Sequence, residues 1–268
     1  MNTIKTIIND HVTWRYQIFK LAKSDIIKTY SGAAFGWAWA LVKPLIMIGV
    51  FWFAISIGLR AGRDVGDFPY VLWLIVGLIP WFYMSDMLTK GAGSIIRYKY
   101  LVTKMKFPVS TIPTFVGLSN MAIHIILMFL VIIIYIICGY YPDIYMLQLP
   151  IYMILMLWFF CVWGLFSSLL SAISKDFLNL VRAFTTAIFW MSGILWDISR
   201  IDIPWLQTVL LFNPVTYFAK GYRNVFVNKV WIWQEPMDLL YFGIVLFLMV
   251  LASVWAYKKL IKVIPDVL

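Results

Sequence analysis

The chain has 268 residues, of which 63% are hydrophobic, 18% aromatic and only 13% charged, and its mean hydropathy is +0.88. That is more apolar surface than a soluble domain of this length can bury, so a water-soluble enzyme or nucleic-acid binder is excluded and a bilayer-embedded protein is expected. The formal net charge of +10 then reports loop topology, not affinity for nucleic acid.

Met1 to Tyr30 is polar and basic and has no secretory signal, so the N-terminus is expected in the cytosol. Within it, His11 to Tyr30 carries too many charges to span, yet Val12, Tyr16, Phe19, Ile26, Ile27 and Tyr30 recur near helical spacing. An amphipathic helix along the cytoplasmic interface is expected there, within a cytoplasmic interfacial segment over residues 1–32, either a simple anchor or a gating element.

A spanning helix needs roughly 20 mostly apolar residues. Such windows occur at Phe35 to Leu59, Phe68 to Met87, Thr114 to Ile137, Leu149 to Ile173, Phe177 to Trp196 and Leu239 to Tyr257, the fifth interrupted by Arg182. The fold class expected is all-α integral membrane: six transmembrane helices over residues 33–262, re-entrant extracellular helices before the last span, and a short cytoplasmic tail over 263–268. The re-entrant expectation rests on Asp197 to Pro236, where short apolar stretches are broken by Pro204 and Pro214.

Lysine and arginine set the orientation. Lys5, Arg15, Lys20, Lys23 and Lys28 precede the first span, Lys90, Arg97, Lys99, Lys104 and Lys106 follow the second, and Lys258, Lys259 and Lys262 close the chain. Both termini are therefore expected inside. The loop with Arg200, Lys220, Arg223 and Lys229 then falls outside, against the rule, where its cations could meet anionic headgroups or an anionic substrate.

Chemistry-bearing motifs are absent. No GxxxxGK[ST] phosphate loop, HExxH or GxSxG occurs, and no carboxylate sits at the centre of a span. Any nucleotide hydrolysis must come from another polypeptide, and an ion-coupled transporter is disfavoured. Cys138 and Cys161 have neither disulfide nor zinc spacing and read as packing residues. His124 reads as a hydrogen-bonded packing residue too. Lys43 and Arg182 are the intramembrane cations; each either touches an anionic substrate or has a local role, Lys43 in a bundle hydrogen bond beside Pro44 and Arg182 snorkelling with Asp176 as partner. Most tryptophans read as interfacial belts.

The stretch Ser24 to Trp39 (SDIIKTYSGAAFGWAW), followed by Lys43-Pro44, resembles the entry to the first span in ABC permeases that export lipid-linked polysaccharides. Gly77-Leu78-Ile79-Pro80-Trp81-Phe82, Lys104-Met105-Lys106-Phe107-Pro108, Phe212-Asn213-Pro214 and Gly221-Tyr222-Arg223 follow in the same family's order. Phe68 to Leu74 and Leu147 to Pro150 resemble its wall teichoic acid branch. Thr29 stands where the family often has arginine, and Ser192-Gly193-Ile194 where it often has Ser-Pro-Ile.

The resemblance implies a permease subunit without enzymatic activity, in a bacterial plasma membrane, pairing with a second copy of itself and with two copies of a P-loop ATPase that bind ATP and magnesium. The cargo implied is a lipid-linked anionic glycopolymer. A coupling helix maps onto Arg97 to Val109, with Arg97, Lys99, Lys104, Met105, Lys106, Phe107 and Pro108 at the ATPase contact. Asp25, Lys28 and Tyr30 fall in the interfacial gate helix, Trp37, Lys43, Phe53, Phe184 and Trp190 along the path, and Asn213, Pro214 and Arg223 in an extracellular motif. An ATP-independent flippase or channel, a membrane enzyme acting on a lipid precursor, and an exporter of neutral polysaccharide or drug stay open as alternatives.

Overall fold

A computed structural model describes residues 3–31, 35–58, 64, 68–105 and 107–268; the expected contact residue Lys106 lies outside them. The described residues are helical with no β-strand. Helix α1 (Thr3–Thr13) and helix α2 (Arg15–Tyr30) meet at a turn at Trp14, so the expected interfacial helix is two helices, not one. Ile18, Ala22 and Asp25 line the buried side of α2 and pack it on the third long helix, while Val12, Tyr16, Phe19 and Ile27 stay exposed. An apolar outer face beside lysines suits the headgroup boundary of a bilayer.

Among the described residues, five helical segments are long and apolar enough to cross a membrane: Gly36–Gly58, Tyr70–Gly91, Val109–Ile137, Ile144–Ile173 and Pro236–Leu260. Their α-helical cores are α3 (Trp39–Trp52), α4 (Tyr70–Asp86), α7 (Ile112–Ile137), α8 (Leu149–Ile173) and α12 (Pro236–Leu260), with α5 (Ser94–Arg97) and α6 (Lys99–Thr103) between α4 and α7. Prolines sit in the first turn of α7, α8 and α12, where a missing N–H costs nothing.

The remaining window, Phe177 to Trp196, differs from expectation. It forms α9 (Lys175–Met191), whose 17 residues reach about 25 Å, short of a hydrocarbon core of about 30 Å. Gly193 stops it: its φ of +63° is left-handed, and a Cβ there would lie 2.5 Å from Ile198 Cγ1. Two short helices follow, α10 (Pro204–Leu211) and α11 (Pro214–Arg223); α11 is almost wholly buried against α4 and α8. The tail ends in α13 (Ile264–Val267), with Ile264 buried against α8.

Helix α4 is the hub, with 78% of its membrane window buried, whereas the α3 window is only 17% buried. Helices α7 and α8 approach closely through small residues: a Cβ on Gly117 would lie 2.8 Å from Cys161 Sγ, so Cys161 is a packing residue. Cys138 lies exposed at the end of α7.

Candidate functional site

The basic segment after α4 is not one helix. Helices α5 and α6 are single turns, the chain bends after Thr103, and the Phe107 amide donates to Leu101 O at 2.9 Å. The bend exposes Arg97, Lys99, Lys104 and Met105 as a knuckle, Met105 being 62% exposed. Phe107 was expected at the ATPase contact, but it turns inward: it is 5% exposed and meets Trp14 edge-on at 5.1 Å. An apolar ring next to lysines satisfies burial before it satisfies a partner, so Phe107 anchors the knuckle. Pro108 is half-buried beside it.

Asp25 fastens α2 to this knuckle. Only 3% exposed, its carboxylate accepts hydrogen bonds from Tyr98 Oη and from Ser119 Oγ of α7, and it lies 3.5 Å from the Arg97 guanidinium. Burial, and then the bond to Asp25, push the Tyr98 hydroxyl well above the ordinary phenol range, which keeps it a proton donor. Two further ties hold α1: Ser110 Oγ donates to Asp10 at 2.6 Å, and His11 Nε2 meets Thr114 Oγ1 at 2.8 Å. Lys28 sits 5.9 Å from the centroid of Tyr100 on α6. The N-terminal helices and the knuckle therefore move as one body or tear buried polar contacts.

Tyr30 ends α2 and stacks on Trp37 at 5.3 Å, joining the gate and path residues at the start of α3. Lys43 lies one turn further along, exposed and without a hydrogen bond among the described residues, so the bundle bond considered for it is not made. It borders a cavity of about 460 Å³ between α2, α3, α4 and α7. Helices α3 and α9 touch through Phe51 and Phe189, 5.1 Å apart, while Phe53, Phe184 and Trp190 all point outward, more than half exposed. Arg182 also points outward and bonds Asn179 at 3.4 Å, in place of the expected Asp176.

At the other end of the bundle, Arg223 is an internal cap. Its guanidinium donates to Gly193 O at 2.7 Å and to Ile194 O at 2.5 Å, and lies 3.3 Å from the Trp73 ring centroid. A Cβ on Gly77 would lie 2.5 Å from Arg223 Nη2, so Gly77 makes room for it. The arginine supplies donors to carbonyls that the break after α9 leaves without helical partners. Asn213 accepts from the Val215 amide at 3.0 Å as the N-cap of α11 and donates to Ser192 Oγ at 2.9 Å, with Pro214 next in the first turn.

The neighbouring cations are neutralised locally: Lys220 bonds Asp238 at 2.6 Å and Glu235 at 2.8 Å, and Lys229 bonds Asp143 at 2.7 Å. Their charge is therefore not offered to a ligand. His124 is buried, with Nε2 on the Tyr222 hydroxyl at 2.7 Å. Among the described residues no cluster of His, Cys, Asp or Glu could hold a metal ion. The sequence reading did not single out Tyr98, Ser119, Asp10 or Trp14; nothing local marks a partner 73 or 94 residues away from Asp25.

A family model described as "ABC-2 type transporter" matches residues 16–227. The chain is 21% identical over 254 residues to an O-antigen export system permease protein of Myxococcus xanthus, covering 94% of this chain and 96% of that protein. An O-antigen export system permease protein of Klebsiella pneumoniae is 25% identical over 248 residues, covering 90% of each. A polysialic acid transport protein of Escherichia coli is 22% identical over 230 residues, covering 79% of this chain and 84% of that protein.

Proposed function

The chain belongs to the ABC-2 type transporter family, and from that premise we propose that it is the membrane subunit of an ATP-driven exporter that carries a lipid-linked anionic glycopolymer, of wall teichoic acid type, out of the cytosol. It is a multi-pass membrane permease and not itself an enzyme; ATP and magnesium belong to a separate P-loop ATPase. Two copies of the chain pair, and two ATPase subunits dock beneath them.

The observation that carries the reading is the uncovered aromatic side of α3 and α9. Phe53, Phe184 and Trp190 are exposed where two helices touch, and the α3 window is the least buried of the five. A second copy facing this side encloses a passage walled by aromatic rings, with Trp37 and Lys43 at its inner mouth. Rings stack against sugars and leave few fixed charges to trap a polyanion, which must leave as readily as it enters. Helix α9 alone is shorter than the hydrocarbon core and completes a fifth crossing only with the turn that follows it; α10 and α11 re-enter from the outside, so both termini are cytosolic.

Coupling runs through the knuckle. The ATPase surface receives Lys99, Lys104, Lys106 and Met105, and the push passes through Arg97 and Tyr98 to Asp25 and hence to Lys28 and Tyr30 at the mouth. The cargoes in the relatives' names, O-antigen and polysialic acid, favour a second reading in which the polymer is a polysaccharide without polyol phosphate. Affinity purification of the tagged chain from its own membrane, with mass spectrometry, tests the assembly: a P-loop ATPase in equal stoichiometry is expected. Recovery of the chain alone, where a reference ABC complex survives, refutes ATP coupling. Depleting the chain and identifying which lipid-linked polymer accumulates inside separates the two cargoes.

A further inference from the structure

An open cleft of about 360 Å³ lies between the knuckle and α9. Lys90 reaches it from the turn that extends α4, Arg97 from α5 and Arg182 from α9, while Gly93, Ile96 and Leu178 give it an apolar wall. Its lining holds three cations and, among the described residues, no carboxylate. Topology alone asks only that such cations lie on the cytosolic side; it does not bring three of them from three elements into one concavity.

Two carboxylates outside the cleft answer two of these charges. Lys90 pairs with Asp86 at 2.7 Å, and Arg97 lies 3.5 Å from Asp25, whose carboxylate already accepts from Tyr98 and Ser119. Arg182 has only the side-chain carbonyl of Asn179, a neutral acceptor at 3.4 Å, among the described residues. One positive charge is therefore left over. All three side chains are open to an incoming anion: Lys90 is 36% exposed, Arg97 43%, and Arg182 is exposed. Arg182 lies seven residues into α9, about 10 Å along the axis from Lys175. In the orientation proposed above, that is the depth of lipid headgroups, not of the surface on which an ATPase docks.

Guanidinium forks match phosphate oxygens, and basic pockets between helices on the cytosolic side suit lipid headgroups. Inorganic phosphate would use the donors but leave Gly93, Ile96 and Leu178 uncovered; a neutral headgroup would leave the surplus charge unanswered. Resting on the export reading above, we infer that the cleft between the knuckle and α9 is a binding site for the phosphate of a membrane lipid, with Arg97, Arg182 and Lys90 as its donors. A lipid held there ties the knuckle to α9 and makes coupling sensitive to the lipids of the inner leaflet. The source is either an anionic phospholipid of that leaflet or the phosphate that joins the cargo to its lipid carrier.

The test uses the full chain in a neutral detergent, with native mass spectrometry reading the affinity of the tightest lipid adduct as phosphatidylglycerol, undecaprenyl phosphate or phosphatidylcholine is titrated in. An anionic lipid binds about tenfold more tightly than phosphatidylcholine. Arg182→Gln weakens that adduct about tenfold, and adding Lys90→Gln weakens it further, both variants keeping wild-type elution. Arg97 stays in place because it also pairs with Asp25. Lys262→Gln, in the C-terminal tail, leaves the adduct unchanged. Tight binding of both anionic lipids assigns the site to lipid phosphate whatever its source; undecaprenyl phosphate alone assigns it to the carrier, and phosphatidylglycerol alone to the phospholipid. Unchanged affinity in Arg182→Gln, an equal loss in Lys262→Gln, or phosphatidylcholine bound as tightly overturns the inference. ATPase copurification reads the export function separately, so a chain that keeps its ATPase while Arg182→Gln binds normally loses only this site.

Discussion

Replacing Asp25 by alanine removes the acceptor on which three elements converge. The Tyr98 and Ser119 hydroxyls each lose a buried hydrogen bond, and the Arg97 guanidinium loses its ion pair. A buried hydroxyl left without a partner costs about 1–3 kcal/mol. Arg97 is 43% exposed and rehydrates, so its share is below about 1 kcal/mol. The docked position of α2 should therefore weaken by about 3 kcal/mol, roughly a hundredfold in its opening equilibrium. Asp25→Asn keeps the shape and one acceptor and should cost about 1–2 kcal/mol. Hydrogen–deuterium exchange in nanodiscs reads this directly: in Asp25→Ala, amides of Arg15–Tyr30 and of Ser94–Thr103 should exchange faster together, while those of α8 do not change. Faster exchange of α2 alone would mean that the knuckle is held by something else, and unchanged exchange at both would refute the tether.

Arg223→Met keeps bulk but leaves the Gly193 and Ile194 carbonyls without their donors, and should lower the thermal stability of the detergent-solubilised chain by about 2–5 kcal/mol, more than Lys229→Met, whose partner Asp143 is half exposed. Gly193→Ala should destabilise through both its positive φ and the contact with Ile198; adding Ile198→Ala should restore only the steric part, so that thermal melts of the double variant fall between those of the wild type and the single variant. Lys104→Ala and Met105→Ala should reduce substrate-stimulated ATP hydrolysis in the assembled complex without changing expression, whereas Phe107→Ala should lower the yield of folded chain by opening a cavity against Trp14, costing about 3–5 kcal/mol.

Five of the helical windows were legible because a bilayer demands long apolar runs and tolerates little else. Phe177 to Trp196 yields a shorter helix than the run suggests: the left-handed Gly193 ends it after Met191, and a sliding window scores the run as apolar all the same. The entry stretch around Asp25, Lys28 and Tyr30 stood out by resemblance, but the partners of Asp25 come from the knuckle and from α7, a matter of tertiary packing that no local pattern encodes. Phe107 was misplaced because a basic motif was read as a single surface, when its ring and its lysines obey opposite preferences for water. Arg223 was found by its motif and assigned to an extracellular motif in a re-entrant stretch; its role as a cap needs the break after α9, which is visible only once Gly193 and α11 are in three dimensions. The positive charge of the loop expected outside has a similar resolution, since Asp143, Glu235 and Asp238 neutralise two of its lysines from other elements.

The most direct test of the account is ATP hydrolysis by the purified complex of this chain with its ATPase, in nanodiscs, as a lipid-linked polyol phosphate polymer is titrated in. The account predicts a saturable rise in hydrolysis that Lys104→Ala blunts and that an unglycosylated polyprenyl phosphate does not reproduce. Hydrolysis indifferent to every lipid-linked polymer, or transfer of the polymer across the bilayer by the chain without ATP, would contradict it.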